Sequence, residues 1–322
     1  MLNSITKTGK IPVILAPMAG VTDLPFRNAV SKFGVDIVFS EMIADRNLLS
    51  NDVKSQKIEL GFNFSNTAVQ LAGCEPATMG EAAKIVSDLG ARALDINMGC
   101  PSKKVVGGDS GSALMRDLKK AAAIIESVVK AVYIPVSLKA RLGWDDGSKN
   151  ATDLGVIAEK CGVQFLTIHG RTRNQFYKGL ADWKAIAEVK RAVEIPVVAN
   201  GDIVDISSAA EALKISGSDG LMMGRGVIGR PWLISQISAC LNKEAQPLSP
   251  KGLSLIEVIA AHYEEILSFY GETLGVRMAR KHLKRYLDIF GLPKKLSNEF
   301  LKENYGKEVV RKLFEIPEWV NT

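Results

Sequence analysis

Cysteine and histidine are scarce in this 322-residue chain, with four of the first and three of the second. Cys74, Cys100, Cys161 and Cys240 are scattered and none forms C-x-x-C, which argues against a disulfide framework and leaves a zinc site unsupported. His169, His262 and His282 show no ligand spacing, so no metal is expected. Long apolar runs are missing too, since nothing approaches the roughly 20 continuous apolar residues of a membrane span. The first residues carry Lys7 and Lys10 without an apolar stretch behind them, which does not read as a secretion signal. Reduced thiols and a cytoplasmic location are expected. With 28 glycines, 12 prolines and no fixed period, collagen-like and low-complexity chains are excluded.

What is present suits a folded enzyme. Hydrophobic residues make up 47% of the chain, enough to bury a full core and exclude disorder. The net charge of +6 and pI of about 9.0 fit an anionic partner without demonstrating one.

Eight β-rich runs recur with helix-period segments between them. They are Val13–Pro17, Asp36–Ser40, Ala68–Ala72, Ala93–Asn97, Pro135–Arg141, Phe165–His169, Pro196–Asn200 and Gly220–Met223. Runs such as Val13-Ile14-Leu15-Ala16 and Leu221-Met222-Met223 are nearly all apolar, as parallel strands covered on both faces require. Eight βα units within about 240 residues predict a (β/α)8 TIM barrel rather than an open sheet. The connections from Ser40 to Ala68 and from Asn97 to Pro135 are long, and long loops at a barrel mouth usually carry function. Residues 1–241 therefore form the expected barrel. Residues 242–253, with two prolines and no periodic face, read as a linker, and 254–322 as a small all-helical C-terminal domain.

Barrel active sites lie at the C-terminal strand ends, and each predicted strand here ends in a polar or tight-turn group. In order these are Pro17-Met18-Ala19, Ser40-Glu41, Gln70, Asn97-Met98-Gly99-Cys100-Pro101, Lys139 with Arg141, His169-Gly170-Arg171, Asn200-Gly201-Asp202 and Gly224-Arg225. Turn residues at strand ends are ordinary, but Gln70 and Lys139 are embedded in apolar sequence and need partners if buried. A shared pocket explains them together. Barrels often bind phosphate after strands seven and eight, where glycines admit backbone N–H groups and Arg225 adds charge. A phosphate at that edge and Lys139 at the centre would suit flavin mononucleotide. The run Gly224-Arg225-Gly226-Val227-Ile228-Gly229 also matches G-x-G-x-x-G, with Glu244 twenty residues on. The second strand of a dinucleotide fold is missing behind it, so that reading is set aside. Cys100, between Gly99 and Pro101 beyond strand four, sits in a loop over the mouth. A thiol with its ordinary pKa near 8.5 is mostly protonated at neutral pH, which suits a proton donor.

In the tail, Arg277, Arg280, Lys281, Lys284 and Arg285 share one helical face, spanning an arc of about 140°. Val276, Ala279, Leu283, Leu287 and Phe290 lie opposite. Five bases with no acid between Arg277 and Arg285 point to phosphate contact, and Arg171 and Arg173 could extend that surface or touch the flavin. His262 and His282 lie on predicted helices and read as surface or core residues.

The Cys100 motif, together with Ala16-Pro17-Met18-Ala19-Gly20-Val21-Thr22-Asp23, closely resembles the tRNA-dihydrouridine synthases. Gln70, Lys139, His169-Gly170-Arg171-Thr172-Arg173, Asn200-Gly201-Asp202 and Gly224-Arg225 follow in the family's order, and Ala279-Arg280-Lys281-His282 is similar to its bacterial B-type branch. The resemblance implies an FMN-binding barrel followed by a helical tRNA-binding domain. It implies FMN held by Pro17, Met18, Ala19, Gln70, Lys139, His169, Asn200, Gly201, Asp202, Gly224 and Arg225, with NADPH as reductant and Cys100 as catalytic acid. The expected product is 5,6-dihydrouridine in the tRNA D-loop, Asn97 bonding the uracil edge. The loop Val105–Ser112 departs from the family's pattern in being rich in glycine (Gly107, Gly108, Gly111). Two other readings stay open. A dihydroorotate dehydrogenase-like barrel acting on a free pyrimidine would use Cys100 as a base and leave the basic tail idle. A barrel that only docks RNA would leave Lys139 and Cys100 without a role.

Overall fold

The computed structural model describes residues 9–49 and 66–320. The stretch holding Lys7, the middle of the connection from Ser40 to Ala68, and residues 321–322 lie outside the described residues. Eight parallel strands close into a barrel in chain order. The first half runs β1 (Val13–Leu15), α1 (Leu24–Ser31), β2 (Val38–Ala44), α2 (Asp45–Leu49), β3 (Thr67–Ala72), α3 (Pro76–Asp88), β4 (Leu94–Met98), α4 (Lys103–Val106) and α5 (Leu118–Ala131). The second half runs β5 (Val136–Arg141), α6 (Ala151–Lys160), β6 (Phe165–His169), α7 (Trp183–Ala192), β7 (Val197–Asn200), α8 (Ile206–Ser216), β8 (Gly220–Met223) and α9 (Leu233–Leu241). Pairing of Val13, Ile14 and Leu15 with Leu221, Met222 and Met223 closes the ring. The TIM barrel expected from the strand spacing is the fold.

Alternation along each strand explains the apolar runs. On β1, Val13 and Leu15 face outward into the layer shared with the helices, while Ile14 and Ala16 face inward. Aspartates start several helices by accepting a backbone N–H. Asp117 takes that of Lys120 for α5, Asp182 that of Ala185 for α7, and Asp205 that of Ser208 for α8.

Inside the barrel the character changes along the axis. The lower half is apolar, with Ile14, Ala68, Phe165 and Val198. Above it Gln70, Asp95 and Ser137 occupy matching positions on β3, β4 and β5, and above these come Asn97 and Lys139, then His169 beside Asn200. The C-terminal ends of β3 to β7 therefore face a polar chamber.

Strand β2 differs from the expected Asp36–Ser40. It starts at Val38 and runs on to Ala44, because pairing resumes after a bulge at Ser40 and Glu41 (Met42 opposite Gln70, Ile43 opposite Leu71). Glu41 looks like a strand end by charge alone, but the bulge turns it aside to accept the N–H of Gly20. The G-x-G-x-x-G run opens no dinucleotide fold. It forms a 3₁₀ turn over Arg225–Val227, and its last glycine has a packing role. Gly229 has φ +80°, and a Cβ there would lie 2.9 Å from the Arg285 backbone.

Beyond α9, residues 242–252 carry no helix or strand, and α10 (Leu253–Tyr270), α11 (Glu272–Phe290), α12 (Lys294–Lys302) and α13 (Gly306–Val320) follow. They share a core that includes Ile256, Ile259, Leu283, Leu287, Val309 and Leu313. This helical unit docks on α1. Phe26 packs against His282 (ring centroids 4.9 Å apart) and His262 (5.7 Å), and the Tyr270 hydroxyl donates to Asp23 at 3.0 Å. Both histidines are buried, so burial drives their pKa values down to about 3 for His262 and about 2 for His282. They are neutral packing residues. Because Phe26 is fully buried at this seam, Phe26→Ala should cost about 3–5 kcal/mol in chemical denaturation. A loss under about 1 kcal/mol would mean that the seam repacks without the ring.

Candidate active site

A cavity of about 890 Å³ opens at the C-terminal ends of the strands. All eleven residues expected to hold a cofactor line it: Pro17, Met18, Ala19, Gln70, Lys139, His169, Asn200, Gly201, Asp202, Gly224 and Arg225. Asn97, Cys100 and, from the helical unit, Arg285 line it as well. The size is that of a small-molecule pocket.

One wall is a chain of hydrogen bonds. Gln70 Nε2 donates to Asp95 at 2.7 Å, Asn97 Nδ2 donates to Gln70 Oε1 at 2.8 Å, and Asn97 Oδ1 accepts the backbone N–H groups of Gly99 (3.1 Å) and Cys100 (2.9 Å). The Cys100 carbonyl accepts from the Ser112 hydroxyl at 2.8 Å. The glycine-rich loop Val105–Ser112 is thereby tied down on the cysteine, and Gly111, at φ +60°, lets the chain pass close by. Burial pushes the Cys100 thiol up from its ordinary pKa, outweighing the lowering by Ser102 N–H, Arg141 and Lys139. The sulfur is therefore a protonated thiol at neutral pH.

The adjoining wall, from β5 onward, is cationic. Lys139 Nζ donates to Asn200 Oδ1 at 3.0 Å, and Asn200 is held in turn by the Met222 carbonyl at 2.8 Å. Arg141 binds the carbonyls of Gly99, Thr172 and Phe176, each at 2.8 Å. The Arg225 guanidinium lies 4.6 Å from the Tyr177 ring centre. Among the described residues none of these three cations has a carboxylate within 4 Å. Burial, with Arg141 adding repulsion, lowers Lys139 to about 8, and burial lowers Arg141 to about 10. His169 is pushed well below its ordinary value, first by burial and then by Lys139, Arg141, Arg171 and Arg225, so its imidazole is neutral. A chamber with this surplus of positive charge is built for an anion.

Several charges take places their spacing did not announce. Arg171 does not line the cavity: it is 2% exposed and grips Asp202 through one nitrogen, 2.8 and 2.7 Å from the two carboxylate oxygens. Asp202 has φ 56°, uncommon for a residue with a Cβ, so Arg171 and the Ala181 N–H (2.7 Å) hold a strained turn rather than offer a surface. Arg173 stacks over Trp144 at 4.5 Å, outside the cavity. In the tail, Arg280 is committed to Asn304 at 2.9 Å and Lys281 to the Gly20 carbonyl. Lys284 pairs with Asp288 at 3.1 Å, while Arg277 and Arg285 stay exposed, Arg285 at the cavity rim. Sequence reasoning passed over Asp95, a fully buried acid beneath the site, and left Arg141 out of the site despite placing it at a strand end. A lone carboxylate inside the apolar run Leu94–Met98 was the available signal for the first.

With the geometry in place, the comparisons decide the family. Residues 14–315 match the model described as dihydrouridine synthase (Dus). This chain belongs to the dihydrouridine synthase family. It is 54% identical to a probable tRNA-dihydrouridine synthase of Rhodobacter capsulatus, over 88% of each chain. It is 51% identical to one of Rickettsia conorii, over 87% of this chain and 85% of that one. It is also 44% identical to the tRNA-dihydrouridine synthase B of Xanthomonas axonopodis pv. citri, over 85% and 83%. Among solved structures, histamine dehydrogenase from Rhizobium sp. 4-9 shares the fold, with TM-score 0.50, 12% identity, and coverage of 78% of this chain and 48% of that one. The chain is thus an enzyme of this family, and the readings as a dihydroorotate dehydrogenase-like protein or a mere RNA-docking barrel fall away. Because burial holds the Cys100 proton on, iodoacetamide should label Cys100 slowly at pH 7. The rate should climb with pH to a midpoint above that of an ordinary thiol at about 8.5, measured by peptide mass spectrometry. A midpoint below that would mean an activated thiolate instead.

Proposed function

We propose that this protein reduces the C5=C6 bond of a D-loop uridine in tRNA to 5,6-dihydrouridine, with FMN bound in the barrel mouth and NADPH as reductant. One observation carries the reading: a half-buried cysteine and a set of cations with no carboxylate within 4 Å among the described residues line one cavity. The residues present fit FMN. Gly201 has φ +118°, and a Cβ there would lie 2.9 Å from the His169 ring, so the β7 end presents bare backbone beside Arg225. Gly201, Asp202, Gly224 and Arg225 would hold the phosphate end. Pro17, Met18, Ala19, Gln70, Lys139, His169 and Asn200 would hold the ring. Lys139 would carry the compensating charge.

When bound, FMN reduced by NADPH supplies a hydride equivalent to C6 of the uracil. Addition there leaves enolate-like charge conjugated to the C4 carbonyl, and the Cys100 thiol delivers the proton that C5 requires. One hydride and one proton account for the two added hydrogens. Asn97 lies close to Cys100; with its Oδ1 on the cysteine loop and one Nδ2 hydrogen on Gln70, its second Nδ2 hydrogen would bond the uracil edge. A uridine in folded tRNA reaches such a cavity only by leaving its stack. Arg277, Lys284 and Arg285 would take phosphates beside the rim. Arg280 and Lys281 contribute by fixing the helix that carries them, and Arg171 by fixing Asp202. Arg173 flanks the mouth.

Cys100→Ala should abolish dihydrouridine formation, by about 100-fold or more, while leaving flavin absorbance on the purified protein. Mass spectrometry of tRNA from cells lacking this protein, with and without the variant restored, measures the first. Full rescue by the variant would remove the proton-donor role. The Lys139 ammonium also sets a pH dependence. Its folded pKa of about 8 lies below the ordinary value, so its charge is nearly complete at pH 7, half lost at about pH 8 and almost gone by about pH 9. FMN affinity, titrated by fluorescence quenching, should therefore hold between pH 6 and 7.5 and weaken by up to about tenfold per pH unit above 8. A flat profile to pH 9.5 would exclude Lys139 as the charge that binds.

A further inference from the structure

We propose that Asp95, which touches neither the cavity nor any reacting atom, is a positioning residue that orients the amides of Gln70 and Asn97 and so presents Cys100 to its substrate. The inference rests on the reading of Cys100 as the proton donor. Asp95 is fully buried on β4, one inward position below Asn97, with Gln70 and Ser137 opposite it on the two neighbouring strands. Its Oδ1 accepts from the Ser137 hydroxyl at 2.6 Å and its Oδ2 from Gln70 Nε2 at 2.7 Å.

The polarity of these bonds follows from Asp95. An ionised carboxylate only accepts, so the Gln70 amide must turn its nitrogen to Asp95 and its oxygen to Asn97. Asn97 must then give Nδ2 to Gln70 (2.8 Å), which leaves Oδ1 for the N–H groups of Gly99 and Cys100. Reversing either amide sets donor against donor. The backbone N–H groups at the far end can only donate, so both ends of the chain demand the same orientation. An amide alone has two nearly isosteric settings; this chain permits one.

A buried carboxylate is costly, and nothing in the lower barrel needs one. Burial drives Asp95 up to about 6, against the pull of Gln70, Ser137 and Lys139, so it remains an acceptor at neutral pH. Attraction to Lys139 offsets part of that cost, and the hydrogen bonds to Gln70 and Ser137 give the carboxylate its orienting role.

Two variants separate orientation from packing. Asp95→Asn keeps an acceptor for Gln70 and can donate to Ser137, whose hydroxyl has the Leu94 carbonyl as an alternative partner at 3.3 Å. Asp95→Leu fills the space and accepts nothing. In the flavin-loaded protein, Leu should lower kcat for tRNA at least about tenfold, with KM and flavin reduction by NADPH nearly unchanged. Iodoacetamide should label Cys100 at pH 7 at least about threefold faster as its loop is released, while Asn stays close to the wild type in both. Equal behaviour of Asn and Leu, or unchanged labelling in Leu, overturns the proposal. Should Leu not fold, Gln70→Met cuts the chain one link nearer the cavity and must show the same faster labelling; unchanged labelling there overturns it equally. Wild-type protein that makes no dihydrouridine would refute the functional reading, while the labelling comparison would still judge Asp95.

Discussion

The change from apolar to polar halfway up the barrel is the constraint from which the rest follows. Ile14, Phe165 and Val198 seal the lower half, so polar groups above them have no water from below and must satisfy one another or a ligand. Gln70, Asp95, Asn97 and Ser137 satisfy one another, and that closed chain forms a rigid wall. Among the described residues, Lys139, Arg141 and Arg225 have no carboxylate within 4 Å, and that surplus of positive charge suits the chamber to an anion rather than to a closed core. One half of the polar interior is complete in itself; the other half waits for an anion.

The same division explains the chemistry of the thiol. Cationic neighbours alone would pull a cysteine toward thiolate. At Cys100 burial outweighs Arg141 and Lys139, because the Ser112 anchor and the Gly111 turn press the loop onto the barrel. A site that attracts anions thus keeps a neutral acid beside them. His169 obeys the same rule from the other side, losing its charge to burial and to its cationic surroundings.

Much of this was legible in the residues. The strands and their order follow from apolar runs that only a doubly covered parallel sheet needs, and Gln70 and Lys139 stood out because apolar sequence flanks them. What failed to show was partnership across the fold. Five basic side chains on one helical face look alike by spacing, but Arg280 is spent on Asn304 and Lys281 on Gly20, the latter 261 positions away. Arg171 reads as a surface cation until Asp202, 31 residues on, turns beneath it. The end of β2 was misplaced for a local reason, since charge at Glu41 mimics a strand terminus when a bulge intervenes. The alternation Leu94-Asp95-Ile96-Asn97-Met98 puts Asp95 on the same strand face as Asn97, but its partners Gln70 and Ser137 lie on two other strands and leave no mark in the local sequence.

Gly229 carries a consequence for how such a protein can change over time. With no side chain there, the backbone of α11 lies directly on the barrel rim, and Arg285, Asp288 and Ile289 become part of the cavity wall. The helical unit is therefore not a detachable module beside an independent barrel. A recombination event exchanging everything after α9 would import foreign walls into the reaction chamber, and Phe26 would meet a new pair of rings. Change in the helical unit and change in chamber shape are bound to one seam, so the two halves of this chain must diversify in step.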